Sequence, residues 1–372
     1  MAIIRKSAIA AALMLLTFQA TLLAQDTPAA PACPVPLSVF TDESGASWCL
    51  LDTSAVPAAQ VASVSLAGVK TLKIKGKIAP DALASVINSP AAIDVAAIDM
   101  SWNYYGSGPV RIVLNSKNLS GLTYLDVSFN TLKADGADAI ATAAGLPALK
   151  KLVLDGNGFD AAAVKKIVSS GLIRRLNSLS LTNNKFGDAG AAAIAESKNL
   201  ESLTSLAIGL ADINDAGVAS LAASKYLRVL TSLDLHYNNI TDEGAKSLAG
   251  TRSITKLTEL NLDYNFISGE GTGALADSDA LTNLKSLALW HNNVGNAGAA
   301  AIASSQKMRN LETLNLRFDD LTDSGIAAIA DSANLTKLKT LDVGNNTFGP
   351  AGTASIKKLE SSGVKVILSN EE

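Results

Sequence analysis

The chain has two histidines, and one of them lies where a carboxylate could assist it. His236 and Asp263 are 27 residues apart, and a histidine with a carboxylate is a minimal general-base pair. No Gly-x-Ser-x-Gly or other nucleophile motif accompanies them. Asp234 could add a metal ligand, but a metal site needs convergent ligands with supporting groups behind them. We therefore expect no enzymatic activity, no metal site and no cofactor.

Larger side chains offer a different chemistry, the binding of a partner. Two columns of positions recur every 27 residues, and they hold six aromatic residues, both histidines and one arginine. The first column is Ser101, Ser128, Asp155, Thr182, Gly209, His236, Asp263, Trp290, Arg317 and Gly344. The second column is Trp102, Phe129, Gly156, Asn183, Leu210, Tyr237, Tyr264, His291, Phe318 and Asn345.

The densest part of these columns predicts a binding site. Tyr, Trp and Arg are the residue types that most often carry binding energy at protein interfaces. The predicted site consists of His236, Tyr237, Asp263, Tyr264, Trp290, His291, Arg317 and Phe318. Secondary candidates are Trp102, Asp126, Phe129, Asp234 and Glu259. The alternative is that neighbouring aromatic rings only stack on one another and stiffen the edge of a sheet.

Charge limits the choice of partner. The chain has 31 Lys and Arg against 34 Asp and Glu, with a formal net charge of -3. This charge balance disfavours nucleic acid as a partner. We expect a protein ligand, and we expect the protein itself to be a monomer. Asp234, Glu259 and Asp263 lie near His236 in the repeat pattern and would suit a basic partner. The alternative is the ordinary solvated surface of a mildly acidic protein.

The columns need a scaffold that holds equivalent positions side by side. Apolar anchors recur every 27 residues at Ile98, Leu125, Leu152, Leu179, Leu206, Leu233, Leu260, Leu287, Leu314 and Leu341. The pattern around each anchor alternates, as in a short strand with one buried face. A helix period follows, and its apolar column runs from Ile140 to Ile356. One strand and one helix cannot bury their apolar sides alone, so neighbouring repeats must stack.

The motif L-x-x-L-x-L-x-x-N-x-[ILF] resembles leucine-rich repeats. The helix motif in Gly190-Ala191, Gly244-Ala245 and Gly298-Ala299 is similar to the ribonuclease-inhibitor-like subfamily, including bacterial GALA-type repeats. The resemblance covers residues 69–372 and implies an α/β right-handed solenoid, or horseshoe, of about 10–11 repeats. It also implies a parallel sheet on the concave side, helices on the convex side, and a scaffold for recognising partners.

Two columns are assigned to structure. Asparagines such as Asn265 follow the strands, where an amide can satisfy unpaired backbone groups. Ala211 and Asp319 interrupt this column, which predicts weaker or water-bridged loops there. A glycine column at the helix starts predicts close packing. Pro109 replaces that glycine in the first repeat and predicts an irregular segment over residues 103–118.

The amino-terminal residues predict export. Arg5 and Lys6 precede an apolar run from Ala8 to Leu16, and the segment continues through Leu22 and Leu23 to Ala24 before it turns polar, which indicates a signal peptide over residues 1–24. The alternative is a retained membrane anchor. We expect a secreted or periplasmic protein with no membrane span after cleavage.

A linker and a cap are expected to follow the signal peptide. Residues 25–32 are predicted to be a disordered linker, and residues 33–68 to be an N-terminal cap. Cys33 and Cys49 are predicted to form a disulfide in an oxidising compartment. A last strand is predicted at residues 364–368.

Three functions remain open at this point. The favoured one is an exported, non-enzymatic protein whose concave face recognises a host or envelope protein. The second is a structural or envelope-associated repeat protein without one dominant ligand. The third is a glycan-binding protein that uses the aromatic row as a stacking platform.

Overall fold

The computed structural model describes residues 33–34, 36–42 and 45–368, which form two compact units. Unit 1 holds the described residues up to 131 together with residues 143–152. Unit 2 holds residues 132–142 and 153–368. The predicted signal peptide (1–24) and linker (25–32) lie outside the described residues.

Unit 1 begins with an antiparallel strand pair and continues as a parallel sheet in chain order. Its strands are β1 (Ser38–Thr41), β2 (Ser47–Asp52), β3 (Thr71–Lys75), β4 (Ala97–Asp99) and β5 (Tyr124–Asp126). Its helices are Ala58–Val61, Pro80–Ile87 and Ser107–Leu114, with a 3-10 helix at Pro90–Asp94.

The predicted cap, residues 33–68, supplies β1, β2 and the short helix Ala58–Val61. Cys33 is joined to Cys49 of β2 by a disulfide, and their Cα atoms are 5.4 Å apart. The prediction of an irregular segment around Pro109 is wrong, because a helix spans Ser107–Leu114. Pro109 lies in the first turn of that helix, where a backbone N–H has no helical partner, so proline is tolerated.

Unit 2 repeats one strand and one helix. Strand β6 (Lys151–Val153) contains the boundary between the units. The strands that follow are β7 (Ser178–Ser180), β8 (Ser205–Ala207), β9 (Ser232–Asp234), β10 (Glu259–Asn261), β11 (Ser286–Ala288), β12 (Thr313–Asn315), β13 (Thr340–Asp342) and β14 (Lys365–Ile367). The helices are Lys133–Ala141, Ala161–Val168, Gly187–Glu196, Asp215–Ala222, Asp242–Ala249, Gly269–Ala276, Gly295–Ser304, Asp323–Ala330 and Pro350–Ser361, with 3-10 helices at Leu172–Arg175 and Lys198–Leu200.

The anchor leucines set the register of the parallel strands. Leu233 aligns with Leu206 on one side and Leu260 on the other, and the same alignment continues to Leu341. These side chains are buried, as is the apolar helix column that includes Leu248. Strand β14 lies within the predicted residues 364–368. The predicted α/β repeat fold, with parallel strands and a 27-residue repeat, is confirmed.

Glycine at the helix starts is required by a contact between successive repeats. The Oδ1 atom of Asp215 accepts hydrogen bonds from the backbone N–H groups of Thr241 (2.8 Å) and Gly244 (3.0 Å). A Cβ atom on Gly244 would lie 2.5 Å from that oxygen, which is too close for any side chain. The carboxylate of one repeat thus holds the first turn of the next helix.

We call the asparagine column of unit 2 the amide row. Asn265 shows its role: Oδ1 accepts from Ile240 N at 3.0 Å, and Nδ2 donates to the carbonyl oxygens of Leu235 (3.1 Å), Leu262 (2.9 Å) and Asp263 (3.2 Å). The amide therefore joins its own loop to the preceding one. The amide row consists of Asn157, Asn184, Asn238, Asn265, Asn292 and Asn346, with Ala211 and Asp319 at the two interrupted positions.

Candidate functional site

The second outward column has an unusual backbone conformation. Every residue of this column has φ between 50° and 62°, the left-handed region that favours glycine and asparagine. The residues are Trp102 and Phe129 in unit 1, and Gly156, Asn183, Leu210, Tyr237, Tyr264, His291, Phe318 and Asn345 in unit 2. A side chain with a Cβ atom pays roughly 1–2 kcal/mol there. The positive φ is common to the whole column, but the fold does not require a large aromatic side chain at these positions.

Four rings of this column in unit 2 form a stack that we call the aromatic ladder: Tyr237, Tyr264, His291 and Phe318. Tyr237 and Tyr264 stack with centroids 3.9 Å apart and planes within 10°, and Tyr264 stacks on His291 at 4.6 Å. His291 and Phe318 follow at 5.7 Å with a 33° tilt. Tyr237, Tyr264 and His291 are stacked face to face, and Phe318 at the end of the ladder is 44% exposed.

Trp290 and Arg317 support the ladder from the first column. The Trp290 ring meets Tyr264 edge-on at 4.8 Å. The Arg317 guanidinium lies 5.6 Å from the centre of the Trp290 ring, within reach of a cation–π interaction. Arg317 Nη2 also donates to Asn345 Oδ1 at 3.0 Å, and Nη1 is 4.0 Å from Asp342 Oδ2.

His236 lies beneath this surface rather than on it, because only 6% of the residue is exposed. Its Nδ1 is 2.7 Å from Asp234 Oδ1, so Asp234, not Asp263, is its hydrogen-bond partner. The expected pairing with Asp263 is therefore wrong. Asp263 Oδ1 instead accepts from the backbone N–H of Trp290 at 2.7 Å.

The buried floor of the site shifts the titration of its groups. Burial disfavours the charged imidazole of His236, but the carboxylates of Asp234, Asp263 and Asp155 outweigh it and raise its pKa. Burial also raises the pKa of Asp263 to about 7, against the opposing effects of the Trp290 N–H and His236. His236 and Asp263 therefore both bind a proton more tightly than they would in water.

The secondary candidates fall into both units. In unit 2, Asp234 belongs to the floor and Glu259 is half-buried on β10. In unit 1, Trp102 and Phe129 stack at 3.8 Å with planes within 11°, and Trp102 is 53% exposed. Asp126 is half-buried on β5, and desolvation together with the Asp99 carboxylate raises its pKa to about 6.

Some surface residues escaped the sequence analysis. Phe266 lies two positions after Tyr264 and is 59% exposed, and Tyr104 holds the equivalent position after Trp102 in unit 1. Extending the column comparison by two positions would have found both residues. Asp342 was missed because its contact with Arg317 crosses from one strand to the next.

Within the described part of the chain, no group of three or more His, Cys, Asp or Glu side chains is placed to hold a metal ion. The same residues contain no helix long and apolar enough to cross a membrane. The surface consists of the aromatic ladder, Trp290 and Arg317, with carboxyl groups beneath them.

The chain was compared with known proteins and solved structures. No curated protein matches the chain. One similar solved structure is an internalin (inlF) from Listeria monocytogenes, with 19% identity, a TM-score of 0.47, and coverage of 85% of this chain and 90% of that one. Another is the Rad7 and Elc1 complex of yeast, with 18% identity, a TM-score of 0.47 and 86% coverage of each chain.

A family model for the leucine-rich repeat matches eight segments. They are residues 120–141, 174–195, 199–222, 226–249, 253–276, 280–303, 307–330 and 334–356. These segments together cover half of the chain and coincide with the strand-and-helix units described above. The chain therefore belongs to the leucine-rich repeat family.

Proposed function

We propose that this is a non-enzymatic binding protein that recognises another protein through the aromatic ladder of unit 2. Trp290 and Arg317 complete the contact surface, while His236 and Asp263 form its floor. Family membership supports a role in protein recognition, because such repeats serve mainly as scaffolds for partners. A structural repeat protein without one dominant ligand is the competing function.

One observation carries the proposal: four aromatic residues in succession occupy positions with positive φ, whereas the same column of unit 2 elsewhere uses Gly156, Asn183, Leu210 and Asn345, none of them aromatic. Residues held in such conformations cluster at ligand-binding sites, where surrounding structure sustains the strain. Stacking offsets part of this cost, since aromatic pairs contribute about 0.5–1.5 kcal/mol. Stacking alone does not require the exposed Phe318 at the end of the ladder.

We propose a basic patch on the partner. Asp234, Asp263 and Asp342 contribute carboxyl groups to the floor, against Arg317 and His236. A positively charged partner group would be attracted most strongly above pH 7, where Asp263 is ionised, and would also interact with the rings. Binding should then weaken only moderately as ionic strength rises, because salt screens largely buried charges less than exposed ones.

Stacking geometry favours a protein over a glycan. Sugars bind aromatic side chains by lying on ring faces, and neighbouring rings already cover the inner faces of the ladder. The exposed ring of Phe318, together with the polar His291 and Arg317, suits the mixed apolar and polar contacts of a protein interface.

The test is capture of proteins from the producing organism's own medium and envelope fractions. We expect capture by the wild-type chain and loss of the same protein with Tyr237→Ala, Tyr264→Ala or Trp290→Ala. Leu210→Ala is the matched control, because Leu210 has the same positive φ outside the ladder. Equal loss with Leu210→Ala, or capture that survives all three ladder changes, would contradict the proposal. Glycan binding abolished by the ladder changes would instead favour the third function.

We also propose that the protein is exported to the periplasm or the medium. The disulfide between Cys33 and Cys49 supports this, since disulfides persist mainly in oxidising compartments. Mass spectrometry of native protein should find a mature form that begins near Gln25 and contains no free thiol. Intact Met1 together with two free thiols would reject the proposal.

A further inference from the structure

Asp319 occupies a position in the amide row where its neighbours carry an asparagine. The residue is fully enclosed, with 0% exposure. Its Oδ1 accepts from Asn292 N at 3.0 Å, which is the contact that an amide oxygen makes elsewhere in the row. Asn346 Oδ1, for comparison, accepts from Asp319 N at 3.0 Å and from Leu321 N at 2.9 Å. One oxygen of the carboxyl group therefore makes the contact to Asn292 that an amide oxygen would make.

The other oxygen stands where an amide nitrogen would donate. Asn292 Nδ2 donates to carbonyl oxygens 30, 3 and 2 residues earlier, those of Leu262, Leu289 and Trp290. Asn346 repeats the pattern toward Leu316, Val343 and Gly344. The same offsets from Asp319 lead to the carbonyl oxygens of Leu289, Leu316 and Arg317.

Asp319 Oδ2 is buried and has no hydrogen-bond partner. An ionised carboxylate would place negative charge against oxygen atoms that can only accept. A protonated carboxyl group would instead donate one hydrogen bond, as the missing amide does. Proton binding thus resolves the unpaired atom without any rearrangement of the loop.

We propose that Asp319 is a neutral carboxylic acid that donates a hydrogen bond to a backbone carbonyl of the amide row, and that alkaline deprotonation loosens the loops carrying His291 and Phe318. Phe318 directly precedes Asp319 in the chain. His291 directly precedes Asn292, whose N–H is held by Asp319 Oδ1. The carbonyl of Asp319 also accepts from Gly295 N at 2.9 Å, so both loops depend on this residue.

Surrounding charge acts in the same direction. Burial raises the pKa of Asp319 to about 8, while the N–H groups of Asn292 and Val294 lower it and the carboxyl groups of Asp263 and Asp320 raise it. Arg317, the nearest cation along the chain, directs its guanidinium to Asn345 and Asp342. Neutral Asp319 is therefore the form expected at and below neutral pH.

The decisive experiment compares the full wild-type chain with Asp319→Asn across pH. In the wild type, folding requires Asp319 to take up a proton between the unfolded pKa, about 3.9, and the folded one. We expect the ratio of wild-type to Asp319→Asn folding constants to fall about tenfold per pH unit from pH 5 to 7. Above about pH 8.5 the ratio should become constant. Asp320→Asn is the comparison variant: it keeps the Asp319 carboxyl group and removes only a neighbouring carboxylate that raises the Asp319 pKa, so its stability should still fall steeply with pH.

A second measurement needs no variant. The carboxyl carbon of Asp319 should titrate with a midpoint near 8 in an NMR experiment on the folded wild type. Hydrogen exchange of residues 289–296 should be slower in Asp319→Asn than in the wild type at pH 9, and equal at pH 6. A midpoint below 5, or a folding-constant ratio independent of pH, would overturn the neutral acid. Equal exchange at pH 9 would overturn the loosening of the loops.

Discussion

The amide row and the aromatic ladder are one residue apart in the chain, yet they follow opposite rules. Asn265 is buried and makes the same contacts as its equivalents in other repeats. The residue type at this position is asparagine in most repeats of unit 2. Tyr264, immediately before it, has a backbone conformation shared by its whole column but a side chain that changes from repeat to repeat. The backbone of the loop is thus constant, and the outward residue is free to specialise.

This difference predicts how each position responds to substitution. Substitutions at the buried leucines and in the amide row should lower the free energy of unfolding, and the loss should grow with the cavity or the number of unpaired backbone groups that they leave. Changes on the outer side should alter recognition with little loss of stability, and some should stabilise the protein.

Leu260→Ala should have the largest effect, about 2–5 kcal/mol of unfolding free energy. Leu260 is buried between the aligned Leu233 and Leu287, so truncation leaves a cavity that its neighbours cannot fill. Denaturant unfolding measures the loss. A loss below about 1 kcal/mol would mean that the inner side tolerates change as well as the outer side does.

Asn265→Ala should cost about 2–3 kcal/mol, because it leaves the buried N–H of Ile240 and several carbonyl groups without a partner. Asn239→Ala is the control, since this exposed asparagine lies immediately after the amide row. The two variants should differ clearly in the same denaturant experiment. Similar losses would remove the distinction between buried and exposed amides.

Asp263→Asn should stabilise the protein by about 1–2 kcal/mol at pH 8 and have little effect at pH 4. Burial raises the pKa of Asp263 to about 7 in the folded state, so wild-type stability falls as pH rises from about 4 to about 7. Asparagine keeps an oxygen for the Trp290 N–H but carries no charge. Thermal unfolding across pH tests this, and a stabilisation that is the same at both pH values would contradict it.

Tyr264→Gly should be more stable than Tyr264→Ala by about 1 kcal/mol, because glycine adopts positive φ without steric cost. Both variants lose the stacking contacts equally, so their difference isolates the backbone. At the exposed strand residue Thr313 the order should reverse. Alanine equal to or better than glycine at position 264 would show that the column is not strained.

Most of the fold could be predicted from the sequence because the same buried contacts recur in every repeat. The 27-residue spacing fixed the strand register, and the asparagine column indicated buried hydrogen bonds between loops. Pro109 was misjudged because its position within the first helical turn depends on where the helix begins. The carboxylate at Asp215 that holds Gly244 was also not foreseen, because it joins side chain to backbone across two repeats.

The site was less predictable. The columns brought Tyr237, Tyr264, His291 and Phe318 together correctly, since equivalent positions of stacked repeats must be neighbours. Their positive φ and mutual stacking could not be derived, because both depend on side-chain orientation. His236 was assigned the wrong carboxylate because a spacing of one repeat suggested Asp263, whereas a residue two positions away in the same strand and loop lies closer.

The edge-on contact between Trp290 and Tyr264 also has an optical consequence. The remaining tryptophans, Trp48 and Trp102, belong to unit 1, so Trp290 is the sole indole fluorophore of unit 2. Light absorbed by the stacked tyrosines can pass to Trp290, whose emission depends on the polarity around its ring. A molecule that covers the ladder would change that emission, so the protein carries an intrinsic reporter at the surface proposed to bind its partner.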